Sequence, residues 1–315
     1  MGIQELASPH ISVVIPVYRG LDCLQELYTR LTTQLDGITD SFEIVMVEDC
    51  GPDASWDAIK TLSFKDPRVR GLQFSRNFGQ HYGITAGLHA SRGDWVVVMD
   101  CDLQDRPEEI PNLYHEAIKG YDVVLARRGQ RQHSFLKRTT SAAFYRLFRF
   151  LTEMDYDGSV GNFRIVSRQV VESFNRFSEQ LRFFGGIVTW LGFRVSSIEV
   201  QHDPRFAGDT TYTWKKLIDL AVQTVVAYSD KPLRIAIRAG FSLAAFSLLG
   251  GAYILLRALF GGFRVSGWAS VMVSLYFLSG IMLGFMGVIG LYLGRVFDEV
   301  KGRPLYVIRE RTFDD

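Results

Sequence analysis

The sequence predicts an α/β fold, a largely parallel sheet covered by helices, followed by a pair of membrane-spanning helices. Two observations predict it: short apolar runs alternate with helical patterns from about residue 10 to 200, and the last third holds two long stretches without charge. The runs "ISVVIPVY", "FEIVMVED", "VRGLQFS", "DWVVVMD" and "YDVVLARR" read as strands, several of them continuously apolar and so buried on both faces. Between them "GLDCLQELYTRLTTQLDG", "SWDAIKTLSF", "QHYGITAGLHASRG" and "PEEIPNLYHEAIKG" read as helices with turn or cap residues nearby. A ligand crevice is expected at the carboxyl ends of such strands, where Asp49, Arg76, Asp100, Asp102 and Arg128 fall.

Ala239 to Leu256 carries no charge over roughly 18 residues, and Val265 to Gly294 none over roughly 30, the lengths a bilayer requires. The short connection "RALFGGFR" makes these a hairpin with both outer ends on one side. Lys215, Lys216, Lys231, Arg234 and Arg238 before the first span, with Arg295, Lys301 and Arg303 after the second, outnumber Arg257 and Arg264 in the turn. The positive-inside tendency therefore places the large N-terminal part in the cytoplasm, at the cell membrane. Before the hairpin, Leu217, Leu220, Ala221, Thr224, Val225 and Tyr228 share one face of an expected surface helix, with Trp214, Lys215 and Lys216 at headgroup level. Gly280, Gly284, Gly287 and Gly290 suggest close helix contact within or between chains, so a homo-oligomer is expected.

The 315 residues carry 35 Lys+Arg against 34 Asp+Glu, and a formal charge of +1 argues against a nucleic-acid partner held by bulk charge. Cys23, Cys50 and Cys101 have neither metal-ligand nor disulfide-scaffold spacing and read as small buried hydrophobes.

The densest chemistry lies in "DCDLQDRPEE". Asp105, Glu108 and Glu109 suit a loop leading into a helix start, with Pro107 in the first turn. Asp100 and Asp102 are expected on the last extended residues of the strand, alternating onto one face, where two carboxylates repel unless a cation lies between them. Asp-x-Asp in that setting suits a divalent cation that carries a nucleotide diphosphate on its other side.

"ISVVIPVY", Asp49, "SRNFGQ", "DCDLQDRPEEI", "YDVVLARR", "GNFRIVSR", "DPRFAGDTTY" and the tail "YLGRVFDEVKGRPLY" come in an order that resembles the polyprenyl-phosphate glycosyltransferases, membrane members of family 2 of the inverting glycosyltransferases. The resemblance covers nearly the whole chain. It implies a GT-A fold and transfer of a sugar, with glucose favoured, from a nucleotide-sugar donor, with UDP favoured, to a polyprenyl phosphate at the cytoplasmic face. It also implies a Mg²⁺ or Mn²⁺ cofactor held by Asp102 with Asp100 and Gln104. Pro16, Tyr18 and Asp49 would line the nucleoside pocket, with Arg76 and Asp100 on the donor. Arg205 would neutralise the diphosphate from a mobile loop. Arg128, with Lys137 or Arg138 and Ser141, would hold the acceptor phosphate, for which forked arginine donors are suited. For Arg76 and Asn77, capping and strand-end pairing account for the residues equally well, and for Lys137 and Arg138 a solvated charged surface does.

The expected organisation is a catalytic region over residues 1–205, a loop and interface helix over 206–232, a two-helix segment over 233–294 with spans near 239–257 and 267–292, and a tail over 295–315. The chain departs from the family at several positions. Tyr18, Arg19 and Gly20 replace Tyr-Asn-Glu; Asp49, Cys50 and Gly51 replace Asp-Gly-Ser. Asn162, before Phe163 and Arg164, stands where the family has Asp, a Lys of the flexible loop is Thr211, and a Glu near the tail is Leu291. Asn cannot accept a proton at useful pH. A phosphate monoester, with its second pKa of about 6, is already an oxyanion nucleophile at neutral pH, so position and charge compensation outweigh a base. The catalytic set expected is Asp102, Asn162 and Arg164. Two other readings remain: a catalytically silent membrane scaffold, and a processive polysaccharide synthase, whose Gln-x-x-Arg-Trp signature "EQLRFFGG" lacks.

Overall fold

The computed structural model describes residues 9–128, 150–151, 160–201, 225–226, 229–260 and 267–314, in two compact units. The first contains β1 (Ile11–Val17), α1 (Leu21–Asp36), β2 (Phe42–Glu48), α2 (Ser55–Lys65), β3 (Val69–Phe74), α3 (Gln80–Ala90), β4 (Trp95–Val98), a 3₁₀ turn (Pro107–Glu109) and α4 (Ile110–Ala117). It continues with β5 (Val123–Arg128), β6 (Val160–Ser167), α5 (Arg168–Asn175), α6 (Phe184–Trp190), β7 (Val195–Val200) and β8 (Ile308–Arg311). The second holds α7 (Lys231–Phe260) and α8 (Trp268–Val300).

The eight strands form one mixed sheet in the order β7-β5-β6-β4-β1-β2-β3-β8. β1 and β2 are buried at every position, as their unbroken apolar runs require, and they pair in parallel with each other and with β4 and β3. On α1, Cys23, Leu24, Leu27, Leu31 and Leu35 recur at helical spacing and pack on the sheet core. α3 lies closer than an ordinary helix can: a Cβ on Gly87 would sit 2.3 Å from Val14 Cγ1, and one on Gly83 3.1 Å from Pro16 Cβ. The two glycines, one turn apart, seat α3 directly on β1 and aim its first turn at the strand ends.

β6 runs antiparallel between β4 and β5, so its first residues share an edge with the carboxyl ends of β1, β2, β4, β5 and β7. All five expected strands are present. β6, β7 and β8 were not anticipated. β8 follows the second apolar helix, yet pairs antiparallel with β3, so the segment expected as a separate tail over 295–315 is divided: α8 continues to Val300 and residues from Arg303 belong to the sheet unit.

In the second unit α7 and α8 each qualify as long and apolar enough to cross a membrane, with mean hydropathies of 1.5 and 2.0 over Lys231–Ile254 and Ser270–Val300. At 1.5 Å per residue each helix is about 45–50 Å long, more than the roughly 30 Å of a hydrocarbon core. Phe241, Phe246, Leu248, Tyr276, Leu283 and Met286 stand exposed, a surface suited to lipid and not to water. Among the described residues a Cβ on Gly280, Gly284, Gly287 or Gly290 would meet nothing within 4 Å, so these glycines do not make the helix contact expected of them there; one on Gly240 would lie 4.0 Å from Phe285 of α8. The surface helix expected over residues 214–228 lies outside the described residues, apart from helical Val225 and Val226.

Candidate functional site

Three turns at one edge of the sheet build the site. Each contains a non-glycine residue in left-handed backbone: Arg19 (φ 54°) after β1, Cys50 (φ 50°) after β2 and Leu103 (φ 60°) after β4. Such a conformation costs about 1–2 kcal/mol per residue and persists where surrounding structure imposes it, as it does at ligand sites. Arg19 and Cys50 occupy the places where the resemblance in sequence has Asn and Gly, which adopt this conformation readily.

Asp49, only 3 % exposed, clamps the loop after β3. Its carboxylate accepts the backbone N–H groups of Phe78 (2.6 Å) and Gly79 (2.8 Å), and its carbonyl accepts the Asn77 side-chain amide (3.2 Å). Burial pushes its pKa up, and the two N–H donors oppose that rise. Arg76 lies on the face of Phe78, 4.1 Å from the ring centroid. α3 then begins after Gly79, whose φ of 108° only glycine adopts without strain. Gln80, the first residue of α3, donates its amide to Asp100 Oδ1 at 2.6 Å. The sequence carried only a faint signal for Gln80, a glycine before a helical run in "SRNFGQ".

β4 ends at Val98, so Asp100 and Asp102 lie in the turn beyond it, not on its last extended residues as expected. Left-handed Leu103 folds the chain back, and buried Asp105 accepts the Asp100 N–H at 3.4 Å. Asp102 Oδ1 accepts the backbone N–H of Gln104 at 3.1 Å. Cys101, between the two acids, packs inward against the core near Gly20; burial, with Asp100 and Asp102 adding to it, pushes its thiol up to about 12. Asp105, Glu108 and Glu109 take structural roles. Glu108 is paired bidentately with Arg30 (2.8 and 2.6 Å), and Glu109 accepts from Asn112 and from the backbone of Gln201.

The β4–β6 register ends with Val98 opposite Arg164; Asp100 follows in the turn after β4, and Asn162 lies near the start of β6. Arg164, expected as catalytic, is 4 % exposed and folds back on its own strand, donating to the carbonyls of Gly161 (2.7 Å) and Asn162 (3.3 Å) while its guanidinium lies over Phe184. It thereby holds the backbone of Gly161 and Asn162 at the start of β6. His81 is held down to about 4 by burial and by Arg164, so it is neutral at pH 7. Pro16, expected in the nucleoside pocket, is buried in β1 beneath α3, whereas Tyr18 is 46 % exposed at the edge. Arg128 is the last residue of β5, opposite Val200 and on the same edge as Asn162. Lys137, Arg138, Ser141, Arg205 and Thr211 lie outside the described residues.

The half-buried carboxylates of Asp100 and Asp102, with the amide oxygen of Gln104 beside them, are hard oxygen donors that fit Mg²⁺ or Mn²⁺. Among the described residues no group of three or more His, Cys, Asp or Glu side chains is poised for a metal ion. An ion at this turn therefore needs ligand oxygens and water to complete its shell.

Residues 12–175, which include all three turns and the β6 strand, match the family model described as glycosyl transferase family 2. This chain belongs to that family. A glycosyltransferase of Bacillus subtilis (strain 168), YkcC, is 38 % identical over 306 residues, 96 % of this chain and 95 % of its own. The SfII prophage-derived bactoprenol glucosyl transferase of Shigella flexneri is 36 % identical over 301 residues, 95 % of this chain and 97 % of its own. Glucosyl-3-phosphoglycerate synthase from Mycobacterium tuberculosis, solved with Mn²⁺ and UDP-glucose, superposes with a TM-score of 0.50 at 15 % identity, covering 70 % of this chain and 78 % of that one. The fold of the sheet unit is GT-A, and the family 2 chain is a glycosyltransferase.

Proposed function

We propose that this family 2 enzyme transfers glucose from a UDP-glucose donor to a polyprenyl phosphate of the undecaprenyl type, with inversion and with a divalent cation, at the cytoplasmic face of the cell membrane. The observation that carries the reading is the Asp100–Asp102 turn, held by Gln80 at the sheet edge where β6 begins, in a chain that also contains two apolar helices of spanning length. Relatives that match nearly end to end and are named for bactoprenol glucosyl transfer support the choice of sugar and lipid.

The acceptor phosphate oxyanion attacks the anomeric carbon, the bond from that carbon to the diphosphate oxygen breaks, and the nucleoside diphosphate leaves. No proton need be removed from the nucleophile at neutral pH. Asp100 and Asp102, with Gln104, would hold the cation, which when bound supplies positive charge to the leaving diphosphate. Gln80 fixes one of the two carboxylates, and Arg164 fixes the backbone of Asn162, whose amide orients sugar or phosphate. Asp49 holds the donor-side loop and Tyr18 offers a ring to the nucleoside. Arg76 and Arg205 serve the diphosphate; Arg128, Lys137, Arg138 and Ser141 serve the acceptor phosphate. A polyprenyl tail stays in the bilayer because leaving it costs roughly 0.8 kcal/mol per methylene, so a membrane-anchored enzyme meets its phosphate at the headgroup plane. Self-association through the hairpin belongs to the same reading.

The test is incubation of the full chain in nanodiscs with undecaprenyl phosphate, Mg²⁺ or Mn²⁺ and a panel of UDP-, GDP- and dTDP-sugars, followed by mass analysis of the lipid. Glucosyl lipid from UDP-glucose, absent with chelator, is expected. No product from any donor overturns the reading in favour of a silent scaffold.

A further inference from the structure

The segment that follows the second apolar helix reaches the donor-side loop from behind. Gln180 donates to the backbone carbonyl of Arg303 at 2.7 Å, and the Gln180 carbonyl accepts the hydroxyl of Tyr82 at 2.8 Å, in the first turn of α3. Val307 accepts the N–H of Ser75, the first residue after β3. Between these points Tyr306 is stacked on Phe74 (centroids 5.2 Å, planes 21° apart), and its hydroxyl lies 2.8 Å from His89 Nδ1 on α3. Phe74 in turn meets Phe78 edge to face at 5.4 Å, and Phe78 is the residue whose N–H Asp49 binds. One route thus runs from the tail to Phe78, two residues before Gln80, and a second to Tyr82, two residues after it; Gln80 in turn holds Asp100.

We propose that Tyr306 is a positioning residue for the metal and diphosphate corner: its ring and hydroxyl brace the Arg76–Gly79 loop and α3, and so set Gln80 against Asp100. Arg303 is three residues beyond the end of α8, so the element that anchors the chain is covalently continuous with the brace of the donor loop. Stacked and edge-to-face ring pairs add attraction beyond area burial, enough to shift a loop population severalfold. The other end of the same tail makes contacts of similar kind away from the loop. Thr312 Oγ1 accepts the Gly71 N–H and the Ser63 hydroxyl, both at 2.8 Å, and Glu310 accepts the Trp56 indole N–H. Thr312 is therefore the built-in control for loss of tail docking alone.

This inference rests on the Asp100–Asp102 turn being the metal site. The experiment uses the full chain, with isothermal titration of UDP in the presence of Mn²⁺, donor KM and kcat, and amide exchange over residues 75–82. Tyr306→Ala is expected to weaken Mn²⁺-dependent UDP binding and raise donor KM about tenfold, with faster exchange at Phe78 and Gly79 and an unchanged KM for lipid phosphate. Tyr306→Phe, which keeps the stack, is expected to stay within about threefold of wild type. Thr312→Ala is expected to lower Tm without changing donor KM. If Tyr306→Ala does not fold, Tyr306→Leu, which also removes the stacked ring, carries the same comparison. A folded Tyr306 variant with wild-type donor KM and exchange, or a Thr312→Ala with the same donor defect, overturns the proposal. Wild-type protein that binds no UDP with Mn²⁺ instead removes the site reading beneath it.

Discussion

The two ends of the sheet both gather charge, and they treat it in opposite ways. At the amino ends of the strands Glu43 is 2 % exposed, and its carboxylate accepts the Ser12 hydroxyl, the Arg92 N–H and the guanidiniums of Arg70 and Arg92. Every oxygen there is met by the protein itself, and a buried acid so enclosed stabilises one packing of the chain without offering anything to a ligand. At the carboxyl ends Asp100 and Asp102 are half-buried, held by an amide and a backbone N–H in a turn with left-handed backbone. The first arrangement is a fully buried network and the second a half-buried pair of acids at the sheet edge. On the proposed reading, the difference separates charge that makes the fold from charge that holds the cation.

The sharpest way to break this contrast is to remove one acid from each end. Asp102→Ala is expected to lower kcat by about three orders of magnitude with Tm nearly unchanged, measured as glucosyl-lipid formation and by calorimetry. Glu43→Ala is expected to cost about 3–5 kcal/mol of stability by leaving Arg70 and Arg92 without their carboxylate, with donor KM unchanged in the fraction that folds. Asn162→Ala is expected to reduce turnover about tenfold, far less than Asp102→Ala, because the acceptor oxyanion needs no base; equal and complete losses in steady-state kinetics contradict the base-free mechanism.

The smallest expected effect concerns Glu108, which the hydrogen bonds from Arg30 hold below the usual carboxylate range. A carboxyl lowered in the folded state contributes stability above its unfolded pKa of about 4.3, and loses it as pH falls through the folded value. With a third of Glu108 exposed, solvent screens the pair, so Arg30→Met is expected to remove about 0.5–1 kcal/mol at pH 7. In denaturant melts that difference from wild type should shrink as pH falls below about 4.3 and disappear once pH is below the folded-state pKa.

β1 to β5 and the two apolar helices were legible because each rests on a local pattern, an unbroken apolar run or a long stretch without charge. β6 and β7 were not, since "VGNFRIVS" and "VSSIEV" are only partly apolar and owe their strand form to the neighbours they pair with. β8 escaped for a stronger reason: Ile308–Arg311 is mostly charged, and its partner β3 lies more than 230 residues earlier, beyond the reach of any local signal. The acidic motif was legible as composition and spacing. Its geometry was not, because the left-handed turn at Leu103 leaves no mark in residue type, and so the acids were expected on the strand instead of past it. Arg164, expected as catalytic, and Pro16, expected in the nucleoside pocket, are both buried, Arg164 bonded to its own strand and Pro16 under α3, contacts that motif position alone does not reveal.

The most direct test of the central claim is Mn²⁺ binding followed by electron paramagnetic resonance, with and without UDP, in the full-length wild type, Asp102→Ala and Glu43→Gln. The open-site account predicts UDP-dependent Mn²⁺ binding in wild type and in folded Glu43→Gln, and its loss in Asp102→Ala. Undiminished UDP-dependent binding in Asp102→Ala would contradict it.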